Sequence, residues 1–168
     1  GHLRSEKDSL RAAYAARLAE PASKLRVIHL GKAHNAEWEK DARAEVKRNP
    51  RYEWRGEVPG WAVRRQFAHS HAMVMSSVME GGANVVSEAI VAGLPVIASD
   101  IDGNIGLLGA DYEGYYPVED TAALAAMLQR AETDSRFLKR LTAQGRKLQP
   151  VFTPKREAAA WKQLLRDI

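Results

Sequence analysis

The chain predicts an α/β fold built on a doubly wound parallel sheet, and three observations carry that prediction. Short apolar runs that end in glycine or a polar turn alternate with longer segments of helical periodicity. Hydrophobic residues make up 45% of the sequence and charged residues 27%, the balance of an ordinary folded chain rather than a disordered one. A length of 168 residues suits one domain with a sizeable core, so residues 1–168 are expected to form a single unit.

The elements follow in order. After a polar opening, "SLRAAYAARLAE" places Leu10, Ala13, Tyr14 and Leu18 near helical spacing, and "LRVIHLG" reads as a short buried strand ending in glycine. "NAEWEKDARAEVKR" is a polar amphipathic helix, "RYEWRG" a short strand, and "GWAVRRQFAHSH" a helix that leads into the apolar strand "AMVMSS". A helix from Asn84 to Ala92, a turn at Gly93, the strand "PVIAS" and a polar loop "DIDGNIG" come next. Beyond "GYYPVED", Asp120 or Thr121 caps "TAALAAMLQRA" and Asp134 caps the next helix. The last helix, "KREAAAWKQLLRDI", carries Ala159, Trp161, Leu164 and Leu165 on an apolar face suited to docking. In such a fold ligands sit at the carboxyl ends of strands, which directs attention to the loops "GKAHN", "RGEVPG", "SSVMEGGAN" and "SDIDGNIG".

Several classes are excluded or disfavoured. No run approaches the roughly 18 apolar residues of a membrane span, because Glu88, Gly93, Pro95 and Asp100 interrupt the best candidate, so no transmembrane segment is expected. The net charge of +4 is spread over basic residues interleaved with acids, a solvated surface rather than a nucleic-acid face. The absence of cysteine removes disulfides, thiolate catalysis and cysteine zinc sites, and is compatible with a cytoplasmic location. The opening "GHLRSEKD" is unlike a signal peptide. Beginning on Gly1, it reads as a domain cut from a longer protein, with a tag remnant at Gly1 and His2 as the alternative.

The stretch "MEGGANVVSEAIVAGLPVIASD" holds the sharpest chemistry. Gly81 and Gly82 let backbone approach a ligand closely, and the helix that opens at Asn84 aims its first N–H groups at that point, the geometry a diphosphate needs. A bare Gly-Gly would be a plain turn. Glu80 before it and Glu88 a full turn inside the helix add carboxylates able to accept from sugar and ribose hydroxyls, at about 1.5 to 3 kcal/mol for each such charge-assisted bond.

Glu80, Glu88, "AIVAGLPVIASD" and the "DGN" loop together resemble the carboxyl-terminal, donor-binding domain of retaining GT-B glycosyltransferases of family 4 (group 1). The likeness runs over nearly the whole chain. "GHLRSEKD" resembles the family's Gly-Arg-Leu-x-x-x-Lys-Gly loop, "RYEWRGEVPG" its base-binding strand and loop, and "HSHAMVMSSVMEG" the strand before the motif. The resemblance implies the Rossmann-like carboxyl-terminal half of a GT-B fold, a nucleoside-diphosphate sugar as ligand, and an amino-terminal acceptor domain outside this chain. It implies that Glu80 meets donor-sugar hydroxyls and Glu88 the ribose. Gly81, Gly82, Ala83, Asn84 and Val85 would hold sugar and diphosphate, with Arg55 and Val58 near the base. Lys7 matches the family's phosphate lysine. His2 replaces its arginine, and Arg4 is the candidate to supply the lost charge. Glu80, Lys7 and Arg4 form the expected catalytic set, with no metal and no cofactor.

"GHLRSEKD", "MEGGANVVSEA" and "GNIGLLGADYEGYYPVEDTAAL" further resemble the selenosugar synthases of selenoneine biosynthesis, a branch that joins a UDP-sugar to selenium from selenophosphate. Other residues have plainer readings. His69 and His71 lack a third metal ligand, Lys32 faces solvent, and Asp100 and Asp102 are turn residues, with Asn104 a candidate to act on the sugar indirectly, from behind the groups that touch it. A nucleotide-sugar epimerase or hydrolase, or a non-catalytic nucleotide-binding module, would share the fold. A dinucleotide dehydrogenase is disfavoured, since no Gly-x-Gly-x-x-Gly follows the first strand.

Overall fold

The structure is a computed structural model that describes residues 1–166; Asp167 and Ile168, the end of the predicted last helix, lie outside the described residues. Parallel strands alternate with helices as expected. The strands are β1 (Val27–His29), β2 (Tyr52–Trp54), β3 (Met73–Met75), β4 (Val96–Ser99) and β5 (Tyr115–Tyr116). The helices are α1 (Arg11–Arg17), α2 (Ala36–Arg48), α3 (Gly60–Ala68), α4 (Asn84–Val91), α5 (Asp102–Leu108), α6 (Thr121–Thr133), α7 (Ser135–Leu148) and α8 (Pro154–Leu164). Two short 3-10 turns, Ser5–Lys7 and Gln149–Phe152, complete the chain.

Every strand pairing is parallel, as a βαβ rhythm requires, since a parallel neighbour needs a crossover. The pairings fall into two groups: β1 with β2, Val27 opposite Tyr52, and β3–β4–β5 with β4 in the centre, Val74 opposite Ile97. β4 is buried along its whole length, which is why "VIAS" is an unbroken run of small and apolar residues. β1 was expected to be equally buried and is only half-buried at each of its residues. Its outer edge opens on a cleft.

The main core packs Val86, Ala89 and Ile90 of α4 and Val96, Ile97 and Ala98 of β4 against Leu124, Phe137 and Leu141 of α6 and α7. A smaller core joins Leu3, Leu10, Ala13, Ala42 and Tyr52 and anchors the first residues of the chain. Caps set the helix starts. The Asn35 side chain accepts from the Trp38 N–H, and Asp134 accepts from those of Arg136 and Phe137. Of the two candidates at α6 the cap is Asp120, which accepts from Ala123 N–H at 2.8 Å; the Thr121 hydroxyl instead accepts from the Arg11 guanidinium at 2.7 Å.

Three expectations need correction. "DIDGNIG" is no loop: Asp102 opens α5, because an acid suits a first turn and Asn104 and Leu108 turn inward to be buried. Tyr115 and Tyr116 make a two-residue strand that the chain pattern did not reveal, too short for alternation to register. Leu18, placed at helical spacing with Leu10, Ala13 and Tyr14, ends outside α1 and is 59% exposed. On α8, Ala159, Trp161, Leu164 and the following Leu165 all face solvent.

Candidate functional site

The first residues are bound to two strand ends. Leu3, fully buried, pairs in parallel with Ala33, donating its N–H to the Lys32 carbonyl at 2.9 Å and accepting from the His34 N–H at 3.0 Å. The 3-10 turn that follows closes with Asp8 in the left-handed region. The Ser76 hydroxyl, just past β3, is 3.0 Å from the carbonyls of both Lys7 and Asp8, and Val78 N–H donates to the Glu6 carbonyl at 3.0 Å. Held over the carboxyl end of β3, the turn presents Lys7 to Glu80.

Lys7 and Glu80 form an ion pair, their side chains only 16% and 14% exposed. Removing two charges from water costs several kcal/mol per ion, so such a pair stands only where further hydrogen bonds complete it. Here the Ser77 hydroxyl donates to the same carboxylate at 2.9 Å. Behind it, the Ser99 hydroxyl donates to the Ser77 carbonyl at 2.5 Å, and the Asn104 amide donates to the Ser99 carbonyl at 2.8 Å. Ser77, Ser99 and Asn104 are completely buried. Asn104 thus lies behind the site: it ties α5 to β4 and through it supports the loop that carries Glu80. Gly103 beside it lies so close to Glu80 that a Cβ there would overlap the Glu80 backbone carbonyl. These supports escaped the sequence reading. Their signal was the serines that end the apolar strand runs, in "AMVMSS" and "PVIAS".

A cleft of about 1320 Å³ borders this pair. His2, Arg4, Lys7, Arg55, Val58, Glu80, Gly82, Ala83, Asn84, Val85 and Glu88 all line it, whereas Gly81 does not. α4 opens there with Ala83 as its cap residue and no side-chain cap, so the first N–H groups of the helix keep their capacity to bind an anion. Glu88 is exposed, and among the described residues no hydrogen bond or ion pair reaches its carboxylate. The Arg4 Nε lies 3.1 Å from Glu6 and the Arg55 Nε 2.7 Å from Glu53. The hydrogen bond from Arg55 holds the Glu53 carboxyl below the usual range. The His2 ring accepts from the Lys32 N–H at 3.1 Å. Lys32 is exposed. His69 and His71 also line the cleft, and among the described residues no group of three or more His, Asp or Glu side chains is placed to hold a metal ion.

Chemically, the site offers a carboxylate neutralised by a lysine, a second carboxylate open to solvent, uncapped helix N–H groups between them, and arginines at the rim. Such a set can bind a molecule with hydroxyls at both ends and anionic charge in the middle. The parallel α/β architecture with its site at the strand ends is that of the Rossmann-like domains of GT-B glycosyltransferases. The sequence profile described as Glycosyl transferases group 1 matches residues 1–148, and the chain belongs to that family.

Solved structures agree on the fold. HepE of Anabaena in complex with UDP superposes with a TM-score of 0.81 at 17% identity, over 99% of this chain and 46% of that one. Sucrose-phosphate synthase of Thermosynechococcus elongatus gives 0.78 at 24% identity, covering 97% and 43%. The catalytic domain of cholesterol-α-glucosyltransferase from Helicobacter pylori gives 0.76 at 16% identity, covering 91% and 95%. The chain thus spans less than half of the HepE and sucrose-phosphate synthase chains. No curated protein matches it.

Proposed function

We propose that this chain is the donor-binding half of a retaining glycosyltransferase that uses a nucleoside-diphosphate sugar, a UDP-sugar, with the acceptor held by an amino-terminal domain of the same protein in the cytoplasm. The observation that carries the reading is the Lys7–Glu80 pair set beside the uncapped start of α4. HepE, which shares the fold, has been crystallised with UDP and glucose. Glu80 accepts from the sugar hydroxyls, Glu88 from the ribose, and Arg55 and Val58 flank the base. Lys7, Arg4 and the first N–H groups of α4 stabilise the charge that develops on the diphosphate as the glycosidic C–O bond breaks. No helix of the described residues is long and apolar enough to cross a membrane.

The acceptor in this reading is selenophosphate. Its support is the resemblance of three separated stretches, two of which surround the donor site. The selenium forms a bond to the anomeric carbon as the bond to the diphosphate oxygen breaks, and the electron pair of that bond leaves with UDP. A soft nucleophile needs position more than a strong base.

The test is to incubate the intact protein with a panel of UDP-sugars and selenophosphate, and to follow UDP release and selenium-bearing sugar by mass spectrometry. Transfer to another acceptor, with none to selenophosphate, rejects the acceptor and keeps the transferase. Release of free sugar or an epimer without any acceptor rejects both. For the chain itself, calorimetric titration should show UDP binding more tightly than NAD; equal or tighter NAD binding rejects the donor site.

A further inference from the structure

The turn that presents Lys7 to Glu80 closes on a residue in an uncommon conformation. Among the described residues, only Asp8 and Glu119 carry a side chain in the left-handed backbone region, at φ 43° and φ 61°. A residue with a Cβ adopts that conformation at a cost, and keeps it only where its surroundings over-determine it. Asp8 directly follows Lys7, so its conformation sets the course of the chain beside the ion pair.

The group that fixes Asp8 is the Arg11 guanidinium. Arg11 Nε donates to Asp8 Oδ2 at 2.6 Å and Nη2 to Oδ1 at 3.2 Å, and the two side chains are only 18% and 14% exposed. An exposed pair three residues apart contributes little, because water screens it and two long side chains must be ordered. This pair is largely withdrawn from water, and its planar fork fixes the carboxylate in direction as well as distance. The remaining prong, Nη1, donates to the hydroxyl of Thr121 at 2.7 Å, at the first residue of α6. The hydrogen bond to Asp8, and after it the charges of Asp8 and Glu119, raise the Arg11 guanidinium above its ordinary value against the desolvation of burial. Both left-handed acids therefore bear on one guanidinium.

The turn's own bonds, from Lys7 N–H to the Arg4 carbonyl and from Asp8 N–H to the Ser5 carbonyl, are those of a single short 3-10 turn and leave its direction open. Ser76 meets the Lys7 and Asp8 carbonyls from the end of β3. Arg11 meets the Asp8 side chain from the other side and ties it to α6, whose Leu124 lies in the main core. Neither Arg11 nor Asp8 lines the cleft.

We propose that Arg11 is a positioning residue for Lys7: by gripping the Asp8 carboxylate against α6 it keeps Asp8 left-handed, and so keeps Lys7 aimed at Glu80. Without the grip, Asp8 relaxes toward the commoner backbone regions, the turn swings, and the Lys7 ammonium leaves the carboxylate. The ion pair belongs to the fold, so the proposal holds whatever molecule the cleft binds.

The test reads the pair in the intact protein labelled with isotopic lysine, through the slowly exchanging ammonium signal of Lys7, assigned by its loss in Lys7→Met. The signal should be present in the unaltered protein and lost in Arg11→Met. It should return when Asp8→Gly is added to Arg11→Met, because glycine takes up the left-handed conformation without help. An arginine that merely stabilised α1 would not be rescued by that glycine. Turnover of a UDP-sugar, a readout that rests on the proposed donor site, should fall by at least about tenfold in Arg11→Met and recover at least about fivefold in the double variant. If no UDP-sugar is turned over, the donor reading fails and the ammonium signal alone decides. A signal that is missing from the unaltered protein, survives Arg11→Met or is not restored by the glycine overturns the proposal, as does turnover in Arg11→Met at the unaltered level. If Arg11→Met does not fold, Asp8→Ala is set against Asp8→Gly. Both lack the carboxylate, only the glycine variant should keep the signal, and equal signals overturn the proposal.

Discussion

Gly103→Ala is the substitution that best separates the support of Glu80 from its chemistry. A Cβ at position 103 overlaps the Glu80 carbonyl, which is backbone and cannot rotate away. Overpacking of this kind costs about 1 to 3 kcal/mol. Alanine in the first turn of α5 recovers at most about 1 kcal/mol of helix propensity, so the clash wins. At about 2 to 4 °C per kcal/mol for a chain of this size, the net loss should lower Tm by several degrees. The function of the intact protein should suffer more, because moving a positioned carboxylate by about 1 Å can cost roughly 10²-fold in turnover. Gly106→Ala is the control: nothing lies within 4 Å of its Cβ, and the same helix gains propensity without a clash. The assays are thermal denaturation of both variants and UDP-sugar turnover by the intact protein. If Gly103→Ala matches Gly106→Ala in Tm and keeps turnover within twofold, Gly103 does not position Glu80 and the reasoning fails.

Other outcomes follow from the same geometry. Glu88→Ala should weaken UDP binding by about 1.5 to 3 kcal/mol, read by calorimetry, with Tm unchanged because the exposed carboxylate has no bonded partner among the described residues. Lys7→Met strands the Glu80 carboxylate on the Ser77 hydroxyl and should cost up to about 3 kcal/mol in denaturant unfolding, whereas adding Glu80→Gln to it should restore part of that loss. His29 is pulled down to about 4, chiefly by burial. The unfolded chain therefore binds more protons than the folded one between that value and the ordinary histidine pKa of about 6.5. This contribution to stability is complete above about pH 6.5 and shrinks as pH falls toward 4. Tm measured across this window should drop, and His29→Gln should flatten the drop.

The sequence by itself determined the alternation of strands and helices, the cap at Asp134, the pair Asp120 and Thr121 as the start of α6, and the motif around Glu80 and Glu88, because each is written in residues within a few positions of one another. It could not show that Lys7 meets Glu80, 73 residues away, since an ion pair across the fold leaves no local periodicity. The same holds for the Ser77, Ser99 and Asn104 chain, whose members lie on two strand ends and a helix. Which groups Asn104 would support from behind the site depended on how α5 packs against β4, and that packing aims its amide at Ser99. The half-buried state of β1 was hidden for a similar reason. Its residues carry the apolar pattern of a central strand, but burial is set by what lies beside them, and that is a property of the sheet rather than of the strand.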